Sequence, residues 1–122
     1  MEFKELQEKV LEWADSHDLL HKENAEKQFM KFIEEVFEFK TEFDLNGEEF
    51  TIYTIDRRMK FKPDTLNKMK TEMGDIIVTL VILCKDLGID TMECLEMAYN
   101  KIKDRQGKTI NGMFYKAEDL KE

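Results

Sequence analysis

Two short acidic clusters in the chain have the residue types and spacing that could do chemistry. The first is Glu34-Glu35-x-x-Glu38 and the second is Glu72-x-x-Asp75. Helix residues three apart lie on one side, so the two carboxylates of such a pair can aim at a common point. If the two helices are antiparallel neighbours, four carboxylates converge. A hard divalent cation such as Mg²⁺ is the natural counter-charge for such a group.

Each cluster also has an ordinary structural interpretation. The first lies on the polar face of its predicted helix, where acidic side chains usually just meet solvent. The second stands at the mouth of a long apolar run, where a carboxylate is costly unless it is paired, used as a cap or coordinated. Together the two clusters favour a metal site. A di-iron site is not expected, because its Glu-x-x-His pairs are missing and His17 and His21 are the only histidines.

A basic segment near the carboxyl end is the second candidate for chemistry. It contains Lys101, Lys103, Arg105 and Lys108 against one acid, Asp104, in a chain that is otherwise acidic. Lysine and arginine pair well with phosphate oxygens. Cations are also common at the solvated end of a helix, where they complement the helix dipole, so this interpretation stays open.

Several further residues are candidate contacts to a nucleotide. Asn100 is a polar candidate, and the aromatic candidates, for which packing is the simpler role, are Trp13, Tyr53, Tyr99 and Tyr115. No Gly-rich phosphate loop occurs, and no Cys–His or Ser–His pairing suggests a covalent nucleophile. Any cleavage of phosphate esters would therefore use metal and water.

The elements that must position these residues are helices. Apolar residues spaced three and four apart predict four of them, over about residues 2–16, 24–43, 64–87 and 91–105. The third helix is apolar almost all round after Gly74, which indicates a central position and an oligomer. With only 5 Gly and 1 Pro, we expect an all-α bundle of four main helices. An inserted central loop would span residues 44–64, and a C-terminal tail with an Asn-Gly turn would fold back.

Length and composition set the remaining limits. The 122 residues predict one domain, 1–122, and the formal net charge of −8 disfavours a general nucleic-acid binder. Cys84 and Cys94 are expected to be reduced packing residues. The longest apolar run, residues 76–84, is far shorter than the roughly 20 residues of a membrane span. With no visible secretory signal, we expect a cytoplasmic protein with no membrane partner.

The acidic motifs and the basic segment, taken in order, resemble the MazG-like, all-α nucleoside triphosphate pyrophosphohydrolases. The resemblance covers residues 28–39, with EExxE, residues 72–89, with ExxD, and residues 100–116. It implies that a nucleoside triphosphate and water give the monophosphate and pyrophosphate, in housekeeping of the nucleotide pool. It also implies a homo-oligomer, either a dimer or a tetramer.

The resemblance assigns roles residue by residue. By the family motif, Mg²⁺, or Mn²⁺ in its place, would be held by Glu35, Glu38, Glu72 and Asp75. Glu38 or Glu72 would act as the general base toward water, and Glu34 is a weaker candidate for a supporting role. Phosphate charge would be stabilised by Lys31, Lys103, Arg105 and Lys108. Asn100 would contact the sugar or the base.

The chain departs from the family pattern in two respects and leaves a rival function open. Phe37 occupies a place where family members often carry a small residue. Thirty-three residues separate Glu38 from Glu72, more than the family usually has, so part of residues 44–64 is expected to be an insertion. The rival is a non-catalytic helical interaction protein whose acidic clusters are only solvated. A nucleotide-sensing protein that binds without turnover is a further alternative.

Overall fold

The computed structural model describes residues 1–45 and 61–120, and within these ranges the fold is all-α, as the sequence predicts. The four α-helices are α1 (Phe3–Ser16), α2 (Ala25–Leu45), α3 (Pro63–Asp86) and α4 (Thr91–Ile102). A hairpin of two short antiparallel strands, β1 (Gly107–Ile110) and β2 (Met113–Lys116), follows α4. Single 3-10 turns occupy Lys22–Asn24 and Ala117–Leu120. Most of the predicted insertion, residues 44–64, lies outside the described residues.

The chain divides into two compact units, Met1–Thr91 and Met92–Glu122. In the first unit α2 and α3 run antiparallel. The Lys68 ammonium, early in α3, lies 2.9 Å from the Glu42 carboxylate, late in α2. Further along α3, Asp75 shares a cavity with Glu35 from the middle of α2. The helix arrangement that would bring the two acidic clusters side by side is therefore present.

The core of the first unit is formed by the second half of α3. Its buried apolar residues are Val81, Ile82, Leu83 and Cys84, and Ala14 of α1 is buried with them. Three polar side chains, Gln7, Thr79 and Asp86, are buried as well. The all-round apolar part of α3 is thus the buried part, which agrees with its sequence.

Helix α3 ends where the sequence predicts, beside Gly88. This glycine has φ +78°, a left-handed conformation that costs a residue without a Cβ little. The backbone N–H of Ile89 then donates to the Cys84 carbonyl at 2.9 Å, which satisfies one of the last helix carbonyls. In the described part of the chain, no helix is long and apolar enough to cross a membrane.

The second unit consists of α4, the hairpin and the final 3-10 turn. Helix α4 ends at Ile102, three residues before its predicted end. Asn111 and Gly112 have φ +50° and +79°, the left-handed pair that a two-residue type I′ hairpin turn requires. The sequence predicts this turn but not the strands, because four residues on each side are too few for a clear alternation. The tail folds back on itself through this turn.

Candidate functional site

Glu72 of α3 is surrounded by other acidic side chains. Its Oε2 atom is buried and has no hydrogen-bond partner. Burial raises the pKa of the Glu72 carboxyl, and the negative charges of Glu42, Glu38 and Asp75 raise it further, against the opposing charge of Lys68. A buried, unpaired carboxylate among carboxylates is unstable as an anion, so this position favours either a proton or a bound cation.

The two neighbouring acids of the first cluster have different surroundings. The Glu35 side chain is only 13% exposed, whereas the Glu34 side chain is 61% exposed. Lys31 Nζ lies 3.2 Å from Glu35 Oε1 and 3.9 Å from Glu34 Oε2. The hydrogen bond to Glu35 is the main cause of a raised pKa for Lys31. Glu35 therefore faces into the unit, and Glu34 stays at its surface.

A cavity of about 570 Å³ adjoins these acids within the first unit. Predicted site residues contribute Lys31, Glu35 and Asp75 to its lining. Its wall also includes Trp13 from α1 and Gln28 from α2. Three helices therefore surround the cavity, which is large enough for a small ligand.

Gln28 is a cavity residue that the predicted site does not include. It lies seven residues before Glu35, two helical turns along the same side of α2, so the helical period could have found it. The sequence indicates Trp13 merely as one of four aromatic residues that could contact a nucleotide. Its position at the cavity depends on how α1 packs on the other helices, which no local pattern reveals.

The carboxylates are engaged with lysines rather than gathered into a ready metal site. In residues 1–45 and 61–120, no three His, Cys, Asp or Glu side chains are arranged to hold a metal ion. Glu35 is paired with Lys31 and Glu42 with Lys68. The chemistry of the donor set nevertheless fits a hard cation, since every candidate ligand is a carboxylate oxygen and Glu72 Oε2 has no partner. Binding such an ion would require Glu35 to turn from its lysine.

The predicted phosphate contacts of the tail lie in the second unit. Asn100 is on α4 and exposed, Lys103 follows the helix, and Lys108 is in β1. One cavity of this unit is lined by Arg105 but not by Asn100, Lys103 or Lys108. The structure therefore does not gather these residues into one group.

Comparison of the chain with protein-family models, with curated proteins and with solved structures finds no match. Fold and site together define an all-α protein with a charged cleft between antiparallel helices, whose wall includes Glu35, Asp75, Lys27 and Lys31. The functional argument depends on the chemistry of that cleft.

Proposed function

We propose that the protein is a Mg²⁺-dependent nucleoside triphosphate pyrophosphohydrolase, which converts a (deoxy)nucleoside triphosphate and water to the monophosphate and pyrophosphate. The observation that carries the proposal is the buried, unpartnered Oε2 of Glu72 beside three further carboxylates. The same arrangement agrees with the motif resemblance to the MazG-like enzymes. The housekeeping of the nucleotide pool in the cytoplasm is the corresponding role.

The metal would be held by Glu35, Glu38, Glu72 and Asp75. When bound, Mg²⁺, or Mn²⁺ in its place, neutralises triphosphate charge and lowers the pKa of a coordinated water. Four carboxylates suit such an ion, because hard cations prefer anionic oxygen ligands. Glu72 has the strongest electrostatic reason to be a ligand, since a cation would relieve its repulsion from Glu38 and Asp75.

The protein's own groups would bind the substrate and move a proton. Lys31 lies at the cavity and would turn from Glu35 to the phosphate oxygens as substrate enters. Glu38 or Glu72 would accept the proton of the attacking water.

Pyrophosphate release from a panel of nucleoside triphosphates, with Mg²⁺ and with EDTA, tests the proposal. We expect metal-dependent release that is lost in both Glu38→Gln and Asp75→Asn. Glu34→Gln is the matched control, because it removes an adjacent but exposed carboxylate. No release from any nucleotide by the folded protein would refute the hydrolase. Binding of a nucleotide without turnover would instead establish the sensing alternative.

The non-catalytic interaction protein has one observation in its favour. The pairs Lys31–Glu35 and Lys68–Glu42 already neutralise two of the acids without a metal. On that hypothesis Mg²⁺ would not stabilise the protein specifically, and no nucleotide would bind. A thermal melt with millimolar Mg²⁺ separates the two proposals.

We further propose that the protein is a homo-oligomer. Met92, Leu95, Tyr99 and Ile102 form an apolar stripe along α4, and all four are exposed, Leu95 at 66%. Such a stripe favours contact with a second copy, because the buried apolar core is small. Light scattering should report a dimer or a tetramer that Leu95→Lys dissociates. A folded monomer at high concentration would contradict this.

A further inference from the structure

A basic cavity lies within the second unit, where the end of α4 meets the hairpin and the last 3-10 turn. It has a volume of about 460 Å³ and is lined by three cations, Lys101, Arg105 and Lys116, with Asp104 and Glu118 at its wall. We call this cavity the basic pocket. Lys101 and Arg105 come from the end of α4 and the turn after it, and Lys116 comes from the second strand of the hairpin, so the pocket depends on how the hairpin folds back.

The backbone brings two of these cations together. After α4 ends at Ile102, the N–H of Arg105 donates to the Ile102 carbonyl at 2.9 Å, which keeps Arg105 beside the helix end. The hairpin register pairs Gly107, the first residue of β1, with Lys116, the last residue of β2. Lys116 is thereby placed across from a residue only two positions after Arg105.

Gly107 makes this approach possible. A Cβ atom at this position would clash with the Tyr115 carbonyl oxygen and with the Phe114 ring. The end of β2 is held beside the start of β1, because the N–H of Ala117 donates to the Gln106 carbonyl at 2.8 Å. The close packing of the hairpin against its own first residue therefore determines where Lys116 lies.

The cations of the basic pocket have few internal partners. Among residues 61–120, Lys101 and Arg105 form no ion pair, and Lys116 Nζ is 3.9 Å from Glu118 Oε1. The three cations outnumber the two acids of the wall, Asp104 and Glu118, so the cavity has a net positive charge that an anion would neutralise. The planar guanidinium of Arg105, which is half-buried, offers parallel N–H groups that match the oxygens of phosphate.

We propose that the basic pocket binds a phosphate group of a small ligand, with Arg105 as the directional contact and Lys101 and Lys116 as flanking charges. Lys103 and Lys108, which the sequence groups with Arg105, do not line the pocket and make no contribution to this binding. The site needs no metal ion. It is a property of the second unit and does not depend on the proposed hydrolysis.

Titration of the full chain with inorganic phosphate and with pyrophosphate, both in EDTA, tests this inference. Calorimetry measures the affinity, and the Nε–H resonance of Arg105 in ¹⁵N-labelled protein reports contact. We expect saturable binding that Arg105→Gln and Lys116→Gln each weaken at least about tenfold, since each loses a charge-assisted hydrogen bond. Lys103→Gln and Lys108→Gln remove the same charge outside the pocket, and we expect them to bind within about twofold of the unchanged protein.

Two further variants separate this site from others. Gly107→Ala changes no charge but should weaken phosphate binding by displacing the strand that carries Lys116. Glu72→Gln, which the proposed hydrolysis cannot tolerate, should bind phosphate normally. Absence of binding, or an equal loss in the pocket and control variants, would overturn the proposal. A nucleoside monophosphate that binds more tightly than inorganic phosphate would identify the ligand as a nucleotide rather than free phosphate.

Discussion

Two of the acids on helix α3, Glu72 and Asp86, are about four turns apart and are alike in two respects. In both residues, at least one carboxylate oxygen is buried and has no side-chain hydrogen-bond partner. Burial is also the main cause of the raised pKa of each carboxyl. Asp86 is the more deeply placed, with 7% of its surface exposed. Burial by itself therefore does not distinguish a functional acid from a structural one.

The charged neighbours differ between the two positions. Other carboxylates surround Glu72 and raise its pKa further. His21 lowers the pKa of Asp86 through its positive charge and a backbone hydrogen bond, and these outrank the opposing charge of Glu23. The pKa of His21 is itself raised, chiefly by a hydrogen bond to Asp18. A cation should therefore be drawn to Glu72, while Asp86 already has a partial counter-charge. The sign of the neighbouring charge, more than burial, indicates the site.

The largest expected effect is on activity. Glu72→Gln should lower pyrophosphate release at least about 100-fold, the usual scale for a lost acid–base group, with a further loss if metal binding fails. Asp86→Asn is the matched variant on the same helix and should retain activity within a few-fold. Steady-state kinetics on both folded variants checks this. Equal losses of activity in the two variants would show that both acids are needed, and would contradict the distinction between Glu72 and Asp86.

The next effect is on metal-dependent stability. Mg²⁺ at ten times its dissociation constant should raise the free energy of unfolding by about 1.4 kcal/mol. Thermal or urea melts should show this increase in the unchanged protein and in Asp86→Asn but not in Glu72→Gln. If Ca²⁺, Mg²⁺ and NaCl at matched ionic strength had equal effects in all three, the site would be only a diffuse acidic surface.

The dependence of stability on pH should change in both variants. A carboxyl whose pKa is raised on folding holds its proton more tightly in the folded state. The stability this contributes is fully present below the unfolded pKa, 4.5 for Glu72 and 3.8 for Asp86, and is lost as pH rises through the folded value. Above these pKa values, Glu72→Gln and Asp86→Asn should therefore each lose less stability with rising pH than the unchanged protein. Urea melts between pH 4 and 7 measure this loss of stability. Mg²⁺ should reduce the loss in the unchanged protein and in Asp86→Asn, but not in Glu72→Gln.

The smallest effect concerns the neighbouring cations. The charge of Lys68 lowers the pKa of Glu72, and that of His21 lowers the pKa of Asp86. Lys68→Gln should therefore raise the pKa of Glu72 but not that of Asp86, and His21→Gln should raise the pKa of Asp86 but not that of Glu72. Stability should change little, because both cations are exposed. ¹³C carboxyl titrations by NMR would measure both values. A shift of both carboxyls in either variant would mean that the two regions are electrostatically coupled.

Much of the fold and part of the candidate site could be predicted from short-range pattern. The three-residue spacing identified Glu35, Glu38, Glu72 and Asp75, and antiparallel helices do place Glu35 and Asp75 on one cavity. The same pattern could not show that Lys31 is held by Glu35, or that Glu72 Oε2 has no partner. Those facts depend on side-chain conformation and on the facing helix.

The tail illustrates the same limit. Asn111 and Gly112 predict a tight turn, because few other residue pairs adopt its left-handed backbone. Which cations meet could not be predicted, since Lys116 is brought to Arg105 only by the strand register. The charge pattern along the chain grouped Lys101 and Arg105 with Lys103 and Lys108, and it did not include Lys116.

Local sequence was thus enough to determine the helices, the end of α3 at Gly88, the hairpin turn and the two acidic motifs, because each depends on residues within one or two turns. The long-range packing alone separated Glu35 from Glu34 and left Glu72 Oε2 without a partner. The physical reason is that burial and electrostatic environment are set by residues distant in sequence, whereas backbone conformation responds mainly to near neighbours.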